Sequence, residues 1–77
     1  MFKYKINHYL SLLPRFIPIS EVETKLSVNH NIPLSQFTKD RFLEEESPEE
    51  IPVGRLLIYA HVLNIPLEYL LIRNKAA

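Results

Sequence analysis

With 77 residues, no cysteine and a single glycine, the chain is the size of one domain (residues 1–77) and excludes disulfides, thiolate metal sites, a cysteine nucleophile and a glycine-rich phosphate loop. Nine basic residues balance nine acidic ones, and a chain this short buries only about 60 to 65% of its unfolded surface, so the core is small and pairing with a second subunit would stabilise it. No apolar run reaches the ~20 residues of a membrane span, and the start MFKYKINHYL lacks a signal-peptide core, so the expected location is the cytoplasm.

The zero net charge hides an uneven distribution. Residues 1–39 carry Lys3, Lys5, Arg15, Lys25 and Lys39 against Glu21 and Glu23. Residues 40–50 carry Asp40, Glu44, Glu45, Glu46, Glu49 and Glu50 against Arg41 alone, and the remainder is again mildly basic.

In chain order, Phe2, Ile6, Tyr9, Leu10 and Leu13 form one stripe of a first helix over about 2–13, which Pro14 ends. Pro14 and Pro18 hold the linker Arg15 to Ile19 extended. Ser20-Glu21-Val22-Glu23 reads as a capping box opening a second helix over 21–28 that buries Val22 and Leu26. Asn29-His30-Asn31 is turn material, and Pro33 suits the first turn of a third helix over 34–43. On that helix Leu34, Phe37 and Thr38 face inward beside the stem of Arg41, while Ser35, Gln36 and Lys39 face outward.

Glu44 to Glu50 predicts a solvated loop in which Ser47-Pro48-Glu49-Glu50 caps one isolated turn, and Pro52 prevents that turn from running on. The fourth helix, 52–63, places Val53, Leu56, Leu57, Ala60 and Leu63 on one face and Ile58 and Val62 on the other. Asn64 supplies a left-handed helix end and Pro66 the first residue of a fifth helix over 66–74, with Leu67, Leu70 and Leu71 on one side. The expected fold is all-α: five helices in a compact bundle, with no strands.

Catalysis is poorly provided for. His8, His30 and His61 lack metal-ligand spacing, and the carboxylates of 40–50 read as a solvated charge run, not an acid–base pair. No enzyme, catalytic residue, metal or cofactor is expected. Reading of double-stranded DNA is better supported, because a helix entering the major groove needs polar side chains near its N-terminus and a second helix behind it. The second and third helices supply that pair: Gln36 can meet adenine through two bonds, while Ser35 and Lys39 can reach a base or a phosphate. His30, Asn31 and Arg55 are candidate phosphate contacts.

Pro52, Leu56, Ala60, Leu63, Ile65, Leu67 and Leu71 resemble the last two helices of the lambda-repressor-like helix-turn-helix domains of the Xre/Cro family. The resemblance extends over residues 17–71, with Val22 and Leu26 at the apolar positions of the second helix, Val28 at that of the turn and Phe37 at the buried position of the recognition helix. It implies a sequence-specific transcriptional regulator whose Ser35, Gln36 and Lys39 read bases. Dimers are usual in the family, and Ile58, Val62, Tyr69 and Ile72 lie opposite the core faces of their helices, so a homodimer through them is expected. The chain departs from the family pattern at Ile19, where glutamine is common, at Glu23, where a small residue is usual, at Ser27, where the turn has glycine, and in a turn longer by about four residues, Asn29 to Ile32. An alternative is a degenerate helix-turn-helix that binds a protein partner, or the antitoxin of a two-component pair.

Overall fold

Prolines set where the elements begin. The computed structural model describes residues 1–71, and in it α2 (Ile19–His30), α3 (Leu34–Arg41), α4 (Val53–Leu63) and a closing 3-10 turn (Leu67–Leu70) each follow a proline with extended backbone, Pro18, Pro33, Pro52 and Pro66. The proline carbonyl accepts the first bond of each element, as Pro33 does from Gln36 and Phe37 and Pro52 from Arg55 and Leu56. No side chain caps any of them. The capping box expected at Ser20 is therefore absent. Ser20 is the second helical residue, and its carbonyl accepts the Thr24 hydroxyl at 2.9 Å.

Asparagine ends the two longest helices. Asn31 and Asn64 have φ of 57° and 61°, and after α4 the Ile65 N–H reaches back to the Ala60 carbonyl at 3.0 Å while Asn64 bonds to His61, which is a Schellman ending. Because α2 runs on to His30, only Asn31, Ile32 and Pro33 separate it from α3. The expected lengthening lies in the helix, and the turn is short.

The first helix, α1 (Ile6–Ser11), is half as long as its apolar stripe suggests. Met1 to Lys5 is extended instead, with Phe2 bridged antiparallel to Glu44 and Tyr4 to Leu71. Lys3 N–H donates to Leu43, Glu45 N–H to Met1 and Lys5 N–H to Leu70 at 2.7 to 2.9 Å. The Phe2, Tyr4, Ile6 alternation with Lys3 and Lys5 has the period of a strand, and it outweighs the helical spacing. Apart from these isolated bridges the described residues contain no strand, and they form an all-α fold with four α-helices among them. The predicted fifth helix is a single 3-10 turn, after which Leu71 is extended. Positions 72–74 of that prediction lie outside the described residues.

The core is centred on α4, which packs against α1, α2 and the 3-10 turn, while α2 also packs against α3. Leu56, Tyr59, Ala60 and Leu63 face it, meeting Ile6 and Leu10 of α1, Val22 and Leu26 of α2, and Phe37 of α3. The buried face of α4 is thus turned toward Tyr59 and away from Val53 and Leu57, both at least half exposed. On α3 the inward residues are Phe37 and Asp40, whereas Leu34 and Thr38 are exposed. No helix among the described residues is long and apolar enough to cross a membrane.

Candidate nucleic-acid interface

The inward turn of Asp40 organises the outer edge of α3. Asp40 is only 4% exposed, and a carboxylate so placed must be paired to remain charged. Arg55 of α4 supplies the charge, its Nε donating to Oδ2 at 2.7 Å and its Nη2 to Oδ1 at 3.4 Å. One turn further along α4, the buried Tyr59 hydroxyl also donates to Oδ2. Gln36, one turn earlier on α3, donates from Nε2 to Oδ1 at 2.9 Å.

These bonds leave electrostatic traces. The Asp40 bond holds the Arg55 guanidinium above its ordinary range. Burial, with the Asp40 bond second, pushes the Tyr59 hydroxyl far above the usual tyrosine range. A second tie crosses from α1 to the end of α3, with Arg41 Nε donating to Asn7 Oδ1 at 2.7 Å and Asn7 Nδ2 donating to the Arg41 carbonyl. The Arg41 guanidinium also lies 5.6 and 5.0 Å from the ring centres of Phe37 and Phe42.

The three residues expected to read bases sit together on α3, but only Ser35 is both exposed and without a side-chain partner among the described residues. Gln36, expected to face out, is half-buried and tied to Asp40. Lys39 is exposed and lies 3.5 Å from Glu49 of the acidic loop. The two line a cleft of about 320 Å³ with Asp40, Glu49, Glu50 and Arg55. Arg55 was expected to reach a phosphate, yet its guanidinium is spent largely on Asp40 because a buried carboxylate outcompetes solvent for it.

Asn31 is exposed at the left-handed end of α2, and the neighbouring His30 is half-buried, its ring edge-on to His61 with centres 6.3 Å apart. No group of three metal-ligating side chains occurs among the described residues. Of the residues expected at a dimer surface, Tyr69 is half exposed and stands 6.0 Å from Tyr9, centre to centre. Ile58 and Val62 are less free than expected, since both are half-buried against the core. Ile72 lies outside the described residues.

The acidic loop is not simply solvated. Lys3 donates from Nζ to the Ser47 and Glu49 carbonyls at 2.6 and 2.5 Å. The turn within the loop spans Glu44 to Ser47, closed by the Ser47 N–H on the Glu44 carbonyl, and so precedes the position expected for it. The Ser47 hydroxyl accepts the Glu49 N–H instead of opening a helical turn. Sequence reading missed Asp40 because it counted this residue with the charge run that follows. The available signal was spacing: Gln36 with Asp40, and Arg55 with Tyr59, are each four apart and share a helix face.

Comparison with family models, curated proteins and solved structures finds no match for this chain.

Proposed function

We propose that the chain is a lambda-repressor-like helix-turn-helix domain that binds double-stranded DNA and regulates transcription, with α3 in the major groove. The observation that carries this reading is the α2–turn–α3 unit: a three-residue turn joins two helices in contact, and the first turn of the second carries exposed Ser35 and half-buried Gln36. Lys39, Asn31 and His30 lie nearby in sequence, where phosphate oxygens would pass. Binding requires no cofactor in this account. Two copies joined through Tyr69 and the partly exposed flank of Ile58 and Val62 would set two recognition helices about one DNA turn apart.

A salt titration with duplex DNA tests the reading. A groove binder loses affinity steeply as salt rises, and Gln36→Ala removes about 1 to 3 kcal/mol of base discrimination. Sedimentation tests the dimer, with Tyr69→Lys as the disrupting change because Ile58 also packs in the core. A monomer at every concentration would remove that part of the proposal.

One observation favours a second reading, a protein-interaction module or antitoxin that does not rely on DNA. Lys39 is paired with Glu49, and Arg55 with Asp40, so two cations near the outer edge of α3 are already matched within the chain. If no duplex binds more tightly than about 10⁻⁴ M at low salt, the ordinary non-specific floor, this second reading replaces the first.

A further inference from the structure

We infer that Asp40 determines base specificity without touching DNA, by fixing which way the Gln36 amide points. This rests on the reading of α3 as the groove-entering helix. A free glutamine amide turns over at will, exchanging its acceptor and donor ends, and its NH₂ group can then serve guanine, whose groove edge offers two acceptors, as well as adenine.

Here Nε2 faces Asp40 Oδ1 at 2.9 Å. The reversed amide would set its carbonyl against a carboxylate, two acceptors with no proton between them. Asp40 cannot turn away to relieve this, because it is 4% exposed and its oxygens are held by Arg55 and Tyr59. The bond to Asp40 uses one N–H. The other N–H and Oε1 have no partner among the described residues, and when Asp40 takes the N–H trans to the carbonyl, these two lie side by side as the donor–acceptor pair that matches adenine N7 and N6. Asp40 is thus a positioning residue, and the favoured target carries adenine opposite Gln36.

Selection of duplexes from a random pool by the wild-type protein, repeated with Gln36→Ala, identifies the base pair that Gln36 reads. At that pair the wild type should prefer adenine over guanine by about 5- to 150-fold, the range of one two-bond contact. Asp40→Asn turns one acceptor into a donor. Arg55 Nε and the Tyr59 hydroxyl both donate to Oδ2 and keep the asparagine oxygen there, so the new NH₂ group takes the Oδ1 position, gives up the long Arg55 Nη2 bond, faces Gln36 and draws its carbonyl inward. The preference should then move from adenine toward guanine, whose two acceptors suit the outward NH₂ group. Tyr59→Phe, which leaves the Gln36 bond in place, should retain the preference.

A folded Asp40→Asn that keeps the wild-type preference overturns the inference and leaves the DNA reading standing. Should that variant fail to fold, NMR of the unbound wild type decides. One Gln36 side-chain amide proton must be slowed in exchange relative to a free glutamine, and two freely exchanging protons overturn the lock. If the wild type binds no duplex, the DNA reading and this inference fall together.

Discussion

Asp40 is a buried carboxylate held by three side chains, and a group so placed is costly once its counter-charge is removed. Arg55→Ala should destabilise the fold by about 3 kcal/mol, the low end for breaking a buried ion pair. The low end applies because Gln36 and Tyr59 still donate to Asp40 and because Arg55 is itself 27% exposed. Urea denaturation measures this, and a loss under about 1 kcal/mol would mean that water replaces the guanidinium freely. Tyr59 adds a dependence on pH. Its folded-state pKa is raised above the ordinary 10.0, first by burial and then by its bond to Asp40. Below pH 10 its contribution is fully present. As pH rises past 10 the unfolded chain gives up this proton while the folded chain keeps it, so stability falls. Arg55, held above its ordinary range, stays charged over the same interval. The urea midpoint of the wild type should therefore drop more steeply between pH 9 and 11 than that of Tyr59→Phe. Parallel curves would show that the hydroxyl is free to ionise in the folded protein.

At the scale of elements, the starts of α2, α3 and α4 depend on proline backbone geometry and the ends of α2 and α4 on left-handed asparagine, and each invites a test. Gly54, in the first turn of α4, has open space around the position a Cβ would occupy and no positive φ. Gly54→Ala should therefore stabilise by about 0.5 to 1 kcal/mol, seen as a raised urea midpoint with unchanged slope. Asn64→Val should cost about 1 to 2 kcal/mol, because a β-branched residue resists the left-handed region, whereas Asn64→Gly should be close to neutral. The same local chemistry explains what the sequence made legible. The start of α3, the bounds of α4 to within a residue, the Asn64 ending and most core residues followed from proline, asparagine and apolar spacing, whereas α3 stops at Arg41, two residues short of its expected end. What stayed hidden depends on distant partners. The Phe2–Tyr4 segment fits both a strand period and a helical stripe, and the bonds to residues 43–45 and 70–71 decide for the extended form. The 3-10 turn ends where Leu71 pairs with Tyr4. Asp40 is inward only because Arg55 and Tyr59 meet it. The candidate site shared this fate, since Gln36 and Arg55 were identifiable as polar residues of the right type, but their mutual anchor was not.

For the molecule as a whole, the first five residues join parts of the chain that the helices leave apart. Met1 and Lys3 bond to the start of the acidic loop, Lys5 to the 3-10 turn, and the Tyr4 hydroxyl accepts the N–H of Ile51 at 3.2 Å, just ahead of α4. Tyr4 is itself in the core, at 9% exposure. Tyr4→Phe keeps the ring but leaves the buried Ile51 N–H without its acceptor, and should cost about 1 to 3 kcal/mol. Tyr4→Ala also opens a cavity, and its cost should approach the roughly 3 to 5 kcal/mol typical of a lost aromatic side chain. Against a total stability of about 5 to 15 kcal/mol for an ordinary domain, the second change removes a large share. Amide hydrogen exchange separates a local effect from a global one. If the N-terminal segment holds the acidic loop in place, Tyr4→Phe should speed exchange at Ile51, with faster exchange spreading to the bridged Lys3 amide, while the α2 amides slow or quicken only with global stability. Because Lys3 also holds the loop beside Lys39 through the Ser47 and Glu49 carbonyls, loosening it should free Lys39 from Glu49. Under the DNA reading, Lys3→Met should then increase affinity for duplex at low salt although it removes a positive charge. A decrease in proportion to the lost charge would show that the loop does not restrain Lys39.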